Sequence, residues 1–133
     1  MLGADAAVRN RLAEIAHAAD DGRTDDYIDM FTEDAVWQVP SGTYVGRQQI
    51  HEVLAAIAPT SAQRHVVVNT VMREHDDHIA TISDFVFLTH AEIGWTVAAV
   101  GRYHDEFVAQ DGVWKLNRRV VRDQVPAAYM PAR

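Results

Sequence analysis

The stretch GRYHDEFVAQDGVWKLNRRVV, residues 101–121, decides the fold. Two alternating runs meet at Gln110-Asp111-Gly112, and Asp-Gly between such runs is a strong signal for a tight hairpin. Side chains alternate across a strand, so Ala99, Gly101, Tyr103, Asp105 and Phe107 share one face, and Arg102, His104, Glu106 and Val108 share the other. A polar group on the core-facing side is then a candidate for function.

Working outward, further strand-like runs cover Gln63 to Glu74, His78 to Thr89, Trp95 to Ala109 and Val113 to Val125, separated by turns at His75-Asp76-Asp77 and Glu92 to Gly94. The first part of the chain reads differently. Ala7, Val8, Leu12, Ile15, Ala16 and Ala19 recur at helical spacing within Asp5 to Asp20, and Asp21-Gly22 ends that helix. Thr24 is placed to cap a short second helix carrying Tyr27, Ile28 and Phe31 and ending near Thr32. Short strands are expected at Ala35 to Val39 and Thr43 to Val45, and a third helix at Gln48 to Ile57 before Pro59. Helices first and long strands last predict a single α+β domain over residues 1–133. In it a curved antiparallel sheet forms a cone, and three N-terminal helices cover a pocket.

Composition narrows the function. The 133 residues, 48% hydrophobic and 23% charged, suit one globular core. No apolar run reaches membrane-spanning length, and Met1 to Arg11 lacks the apolar centre of a signal peptide, so a cytoplasmic protein without a membrane partner is expected. The formal charge of -7 opposes a phosphate backbone, and Arg118, Arg119 and Arg122 are split between two strand faces, so no nucleic-acid partner is expected. There is no cysteine, no H-E-x-x-H or similar metal spacing, no Gly-rich phosphate loop and no G-x-S-x-G elbow. The reading is cofactor-free and metal-free.

The order of elements, Asp21-Gly22, the run Phe31-Thr32-Glu33-Asp34-Ala35-Val36, Gly46-Arg47, Arg64-His65-Val66-Val67-Val68-Asn69, and the closing GRYHDEF with DGVWKLNRR together resemble the SnoaL-like branch of the nuclear-transport-factor-2-like superfamily. Within it the chain is most similar to the group of scytalone dehydratase and the bile-acid dehydratases. Limonene epoxide hydrolase, ketosteroid isomerase and polyketide cyclases resemble it more distantly. The resemblance implies a lyase or isomerase with a small-molecule substrate, and a homodimer through the outer sheet face. It equally admits a non-catalytic module resembling dioxygenase β-subunits, since one fold hosts many functions.

Five residues are candidates for catalysis. His65 shares a strand face with Val67, Asn69 and Val71, and an imidazole can both accept and donate a proton; the resemblance puts it at the dehydratases' catalytic histidine, against the alternative of a histidine satisfied within the core. Asp20, at the end of the first helix, matches the acidic partner of that histidine, but also reads as a solvated helix end. Ile15 stands where those enzymes often have a tyrosine. Asp84 and His90 share a face with Ile82, Val86 and Leu88, about 20 Å apart. The resemblance matches Asp84 to a second acidic position, with a cross-sheet ion pair as the alternative. It matches His90 to a second active-site histidine, with a rim position as the alternative. Tyr103 offers a hydroxyl to a carbonyl or enolate oxygen, or is a buried tyrosine satisfied elsewhere.

Together these residues predict proton transfer by a His65–Asp20 pair on a small, mainly apolar cyclic substrate bearing a carbonyl or hydroxyl. A ketosteroid-isomerase-like aspartate base and an epoxide-hydrolase-like aspartate activating water are the variants of the same pocket.

Overall fold

The computed structural model of the chain describes residues 3–124. Val125, expected at the end of the last strand, lies outside them. Helix α1 (Ala4–Asp20) buries Val8, Leu12, Ile15, Ala16 and Ala18 on one stripe. It closes in a Schellman motif, in which Arg23 N–H donates to the Ala18 carbonyl and Gly22 N–H to that of Ala19. Gly22 takes the left-handed conformation this requires, at φ 70°. Helix α2 (Thr24–Asp29) is shorter than its spacing suggests, and Thr24 is its first residue, without a side-chain cap. It stops because the chain is captured by the sheet. Leu116 N–H donates to the Met30 carbonyl, and strand β1 (Phe31–Val39) starts at once, earlier than the expected Ala35.

After β1 come β2 (Gly42–Val45), helix α3 (Gly46–Ala56), and the long strands β3 (Gln63–Glu74), β4 (Ile79–Ala91), β5 (Gly94–Gln110) and β6 (Val113–Asp123). Their order in the sheet is β2-β1-β6-β5-β4-β3. All neighbours run antiparallel except β1 and β6, which are parallel, a departure from the uniformly antiparallel expectation. The β5–β6 hairpin turns at Asp111 and Gly112, both left-handed at φ 53° and 78°, as a two-residue turn of the primed kind demands.

The sheet curves without closing. At Gly101 a Cβ would collide with the Arg122 carbonyl oxygen and the Phe85 ring, so only glycine lets β5 bend there. Bulges change which side chains face inward; one, in β5, inserts Ala98 between the partners of Phe87 and Leu88, and two others lie in β3 and β6. Between Val68 and Val71, β3 carries one residue more than β4, with Asn69 left-handed at φ 55°. Between Leu116 and Arg118, β6 carries Asn117 as an extra residue, whose side-chain carbonyl accepts from the Thr32 hydroxyl at 2.9 Å. The helices lie on the concave side. Val8, Leu12, Ile15, Phe31, Ile50, Phe107 and Leu116 belong to the core formed there.

Candidate active site

The Schellman ending of α1 sets Asp20 against the start of β3, and its carboxylate is almost fully buried, at 4% side-chain exposure. His65 Nδ1 lies 2.6 Å from Asp20 Oδ1, the His65 backbone N–H donates to Oδ2 at 2.8 Å, and Gln63 Nε2 donates to Oδ1 at 3.3 Å. An ionised carboxylate accepts only, so Nδ1 carries the proton and Nε2 is left as the free basic nitrogen. The imidazole stacks on Phe87 with centroids 4.5 Å apart, which fixes its plane.

His65 forms part of the wall of a cavity of about 370 Å³ between the helices and the sheet. Size and apolar lining suit a small organic ligand. Trp37, Leu54, Ile57, Phe85, Phe87 and Val121 give most of the apolar wall, and Tyr27, Tyr103 and Arg119 join His65 as polar residues around it. Tyr103 stacks on Phe85 at 4.5 Å and 12°, next along β4 from the His65–Phe87 stack. The Arg119 guanidinium sits over the Tyr103 ring, 3.9 Å from its centroid. Behind it, Asp105 accepts from Arg119 Nε at 2.8 Å and Nη2 at 2.9 Å, and both residues are buried.

Burial pushes the Tyr103 phenol well above its ordinary value, outweighing the opposing pull of Arg119, so it remains a donor. The Tyr27 phenol is raised for the same reason. Burial also pushes the Asp105 carboxyl up, against the charge and hydrogen bonds of Arg119. Although burial opposes the charge on Arg119, the Asp105 carboxylate pushes its value up. With two charge-assisted bonds in place, the pair is ionised.

Residues 1–120 match the family model described as a SnoaL-like domain. The chain belongs to the SnoaL-like family. Solved structures similar to this SnoaL-like domain include a protein of unknown function from Mycobacterium tuberculosis, 21% identical at a TM-score of 0.85, covering 91% of this chain and 72% of that one. A protein described as a candidate scytalone dehydratase from Novosphingobium aromaticivorans is 20% identical at a TM-score of 0.79, with 90% and 83% covered. The β subunit of a candidate aromatic-ring-hydroxylating dioxygenase from the same organism is 18% identical at 0.78, with 91% and 89% covered. At these identities the likeness is one of fold. A comparison with curated proteins returns no match.

In this SnoaL-like domain the structure brings Asp20, His65 and Tyr103 to one place and leaves Asp84 and His90 elsewhere. Asp84 projects from the convex face of β4, where Asn69 Nδ2 donates to it at 3.0 Å and Arg102 Nε at 2.8 Å. The hydrogen bonds from Asn69 and Arg102 hold its carboxyl below the usual range. The even-numbered residues of β4 face away from the cavity that Phe85 and Phe87 line, so the cross-sheet ion pair is the outcome at Asp84. His90 is exposed near the β4–β5 turn, with its ring edge-on to Trp95 at 5.2 Å. The bulge in β3 turns Asn69 and Val71 outward instead of leaving them beside His65, and brings Thr70 in to hydrogen-bond Ser83 at 2.9 Å. Sequence reasoning missed Tyr27, Asp105 and Arg119. Asp105 carried a signal, since it alternates with Tyr103 and Phe107 on the core side. Among the described residues no cluster of three or more His, Asp or Glu side chains is arranged to hold a metal ion, and no helix is long and apolar enough to cross a membrane.

Proposed function

We propose that this cavity catalyses cofactor-independent proton transfer on a small, mainly apolar, cyclic substrate bearing a carbonyl, in a dehydration or isomerisation. The observation that carries this reading is the buried 2.6 Å contact between Asp20 and His65 at the wall of the cavity. His65 Nε2 removes a proton α to the carbonyl, while Asp20 holds the ring in the right tautomer and balances the charge of the imidazolium. The negative charge passes to the carbonyl oxygen, toward which Tyr103 donates. In a dehydration the β-hydroxyl then leaves as water, taking the proton back from His65 as the carbon–carbon double bond forms. In an isomerisation the same proton returns to a different carbon. Either way the histidine ends as it began.

Turnover of hydroxylated cyclic ketones, followed by absorbance of the conjugated product, tests this. His65→Ala should lower it by about 10² to 10⁴, the usual contribution of a positioned acid or base. Unchanged turnover in that variant removes the assignment of His65, and an absence of turnover in the wild type leaves a ligand-binding or subunit-association module.

For the convex sheet face we propose a second copy of the chain as partner. Val66, Val68, Val71, Ile82, Val97 and Val100 are exposed there around the polar group of Asn69, Asp84 and Arg102. Contiguous apolar surface of this kind marks an interaction site.

A further inference from the structure

Two carboxylates stand behind the cavity wall, and each holds one polar residue that lines it. Asp20 is absent from the lining while its partner His65 is part of it; likewise Asp105 is absent and Arg119 present. The cavity therefore meets the imidazole at one point and the positive end of an ion pair at another. These points are close. His65 stacks on Phe87 and Tyr103 on Phe85. The two phenylalanines are successive inward residues of β4, about 7 Å apart along the strand. A base and a donor at that spacing can reach a carbon and the oxygen of the carbonyl next to it, each at hydrogen-bond length.

Arg119 does not simply add a charge. Its Nε and Nη2 are committed to Asp105, so the guanidinium is fixed, with its central carbon over the ring of Tyr103. The phenol ring is in contact with both a cation and an aromatic ring. The residue is 6% exposed and lines the cavity. A buried phenol normally finds a partner. A ligand oxygen in the cavity would be such a partner, and the cation over the ring favours one that carries negative charge.

We propose that Arg119, anchored by Asp105 and seated on the face of Tyr103, is a positioning residue that fixes the Tyr103 hydroxyl as donor to an anionic oxygen, an enolate or phenolate, of the ligand beside His65. This deepens the proton-transfer reading and rests on it for the placing of the substrate, but the binding it describes does not require turnover. A lysine cannot substitute, because a point charge has neither the planar fork for Asp105 nor the flat face for Tyr103.

The probe is 4-nitrophenolate, titrated above the pKa of the phenol and read by the shift of its visible absorbance. Tyr103→Phe should weaken its binding about ten- to a hundredfold, the worth of a hydrogen bond to a charged acceptor. Arg119→Lys should weaken it several-fold in the wild-type background and have no effect in the Tyr103→Phe background, because it acts through that hydroxyl. Equal losses in both backgrounds, or no loss in either, overturn the proposal. Should Arg119→Lys fail to fold, 3-fluorotyrosine in place of Tyr103 in the otherwise unchanged chain gives the reading. Its fluorine resonance should move when 4-nitrophenolate is added, and a resonance that stays put overturns the proposal. Loss of the His65 assignment in the turnover assay would leave these affinities standing, and their failure would leave His65 untouched, so the two claims fail separately.

Discussion

The sheet carries an aspartate–arginine pair on each of its faces, and β5 contributes to both. Asp105 meets Arg119 on the concave side at 2.8 Å, with 0% and 4% side-chain exposure; Arg102 meets Asp84 on the convex side, also at 2.8 Å, with 45% and 30%. Bond length is the same, and surroundings make them different objects. The convex pair is solvated, and its attraction is screened by water and salt. The concave pair has lost its water. Each partner depends on the other for charge balance, which makes it costly to break and able to impose geometry on Tyr103.

The largest break in this symmetry is expected from removing one buried partner. Asp105→Ala should destabilise the chain by about 3–5 kcal/mol in urea unfolding, because it strands a buried guanidinium, while Asp105→Leu combined with Arg119→Met should recover most of that stability and lose the ligand geometry. A single variant as stable as wild type would mean that water reaches the pair. An intermediate effect belongs to the buried phenols. Burial holds the Tyr27 and Tyr103 values above the ordinary phenol value of 10.0, so their contribution is whole below the unfolded value and declines as pH rises past it, when the unfolded chain releases protons the folded chain keeps. Stability should therefore fall above about pH 10, and less steeply in Tyr103→Phe. Parallel curves for the two proteins would contradict this.

The smallest effect is expected on the convex side. The Asp84 carboxyl is held below its ordinary value, so its contribution is present above the unfolded value and is lost only as pH falls through the folded one. At neutral pH, Asp84→Ala should lower the melting temperature of dilute protein only slightly, as for an exposed ion pair. If a second copy covers this face, the same change should lower the light-scattering mass of concentrated protein from two chains toward one. A mass of one chain in the wild type at micromolar concentration counts against the dimer.

What the sequence makes legible follows from period and turn chemistry. The alternation around Asp111-Gly112 places Tyr103, Asp105 and Phe107 inward, as the structure has them. Asp20 and His65 lie 45 positions apart, so no local pattern joins them, and only the family resemblance sets them side by side. Arg119 was hidden by a bulge. An unbroken two-residue hairpin sets Arg118 opposite Asp105, and the extra Asn117 shifts the register so that Arg119 takes that place. Asn69 hides a second shift in β3. In both strands the sign is an asparagine, a residue that tolerates the left-handed conformation and supplies its own hydrogen bonds.

One bond of the Asp20 carboxylate has a consequence outside chemistry. β3 is the end strand of the sheet, and its outward amides would ordinarily offer a template on which another chain could add. At His65 that amide is already taken by Asp20 Oδ2 at 2.8 Å. The residue that orients the imidazole also occupies a place on the edge where a foreign strand could pair, so losing the carboxylate would open that amide to another chain as well as misalign the base.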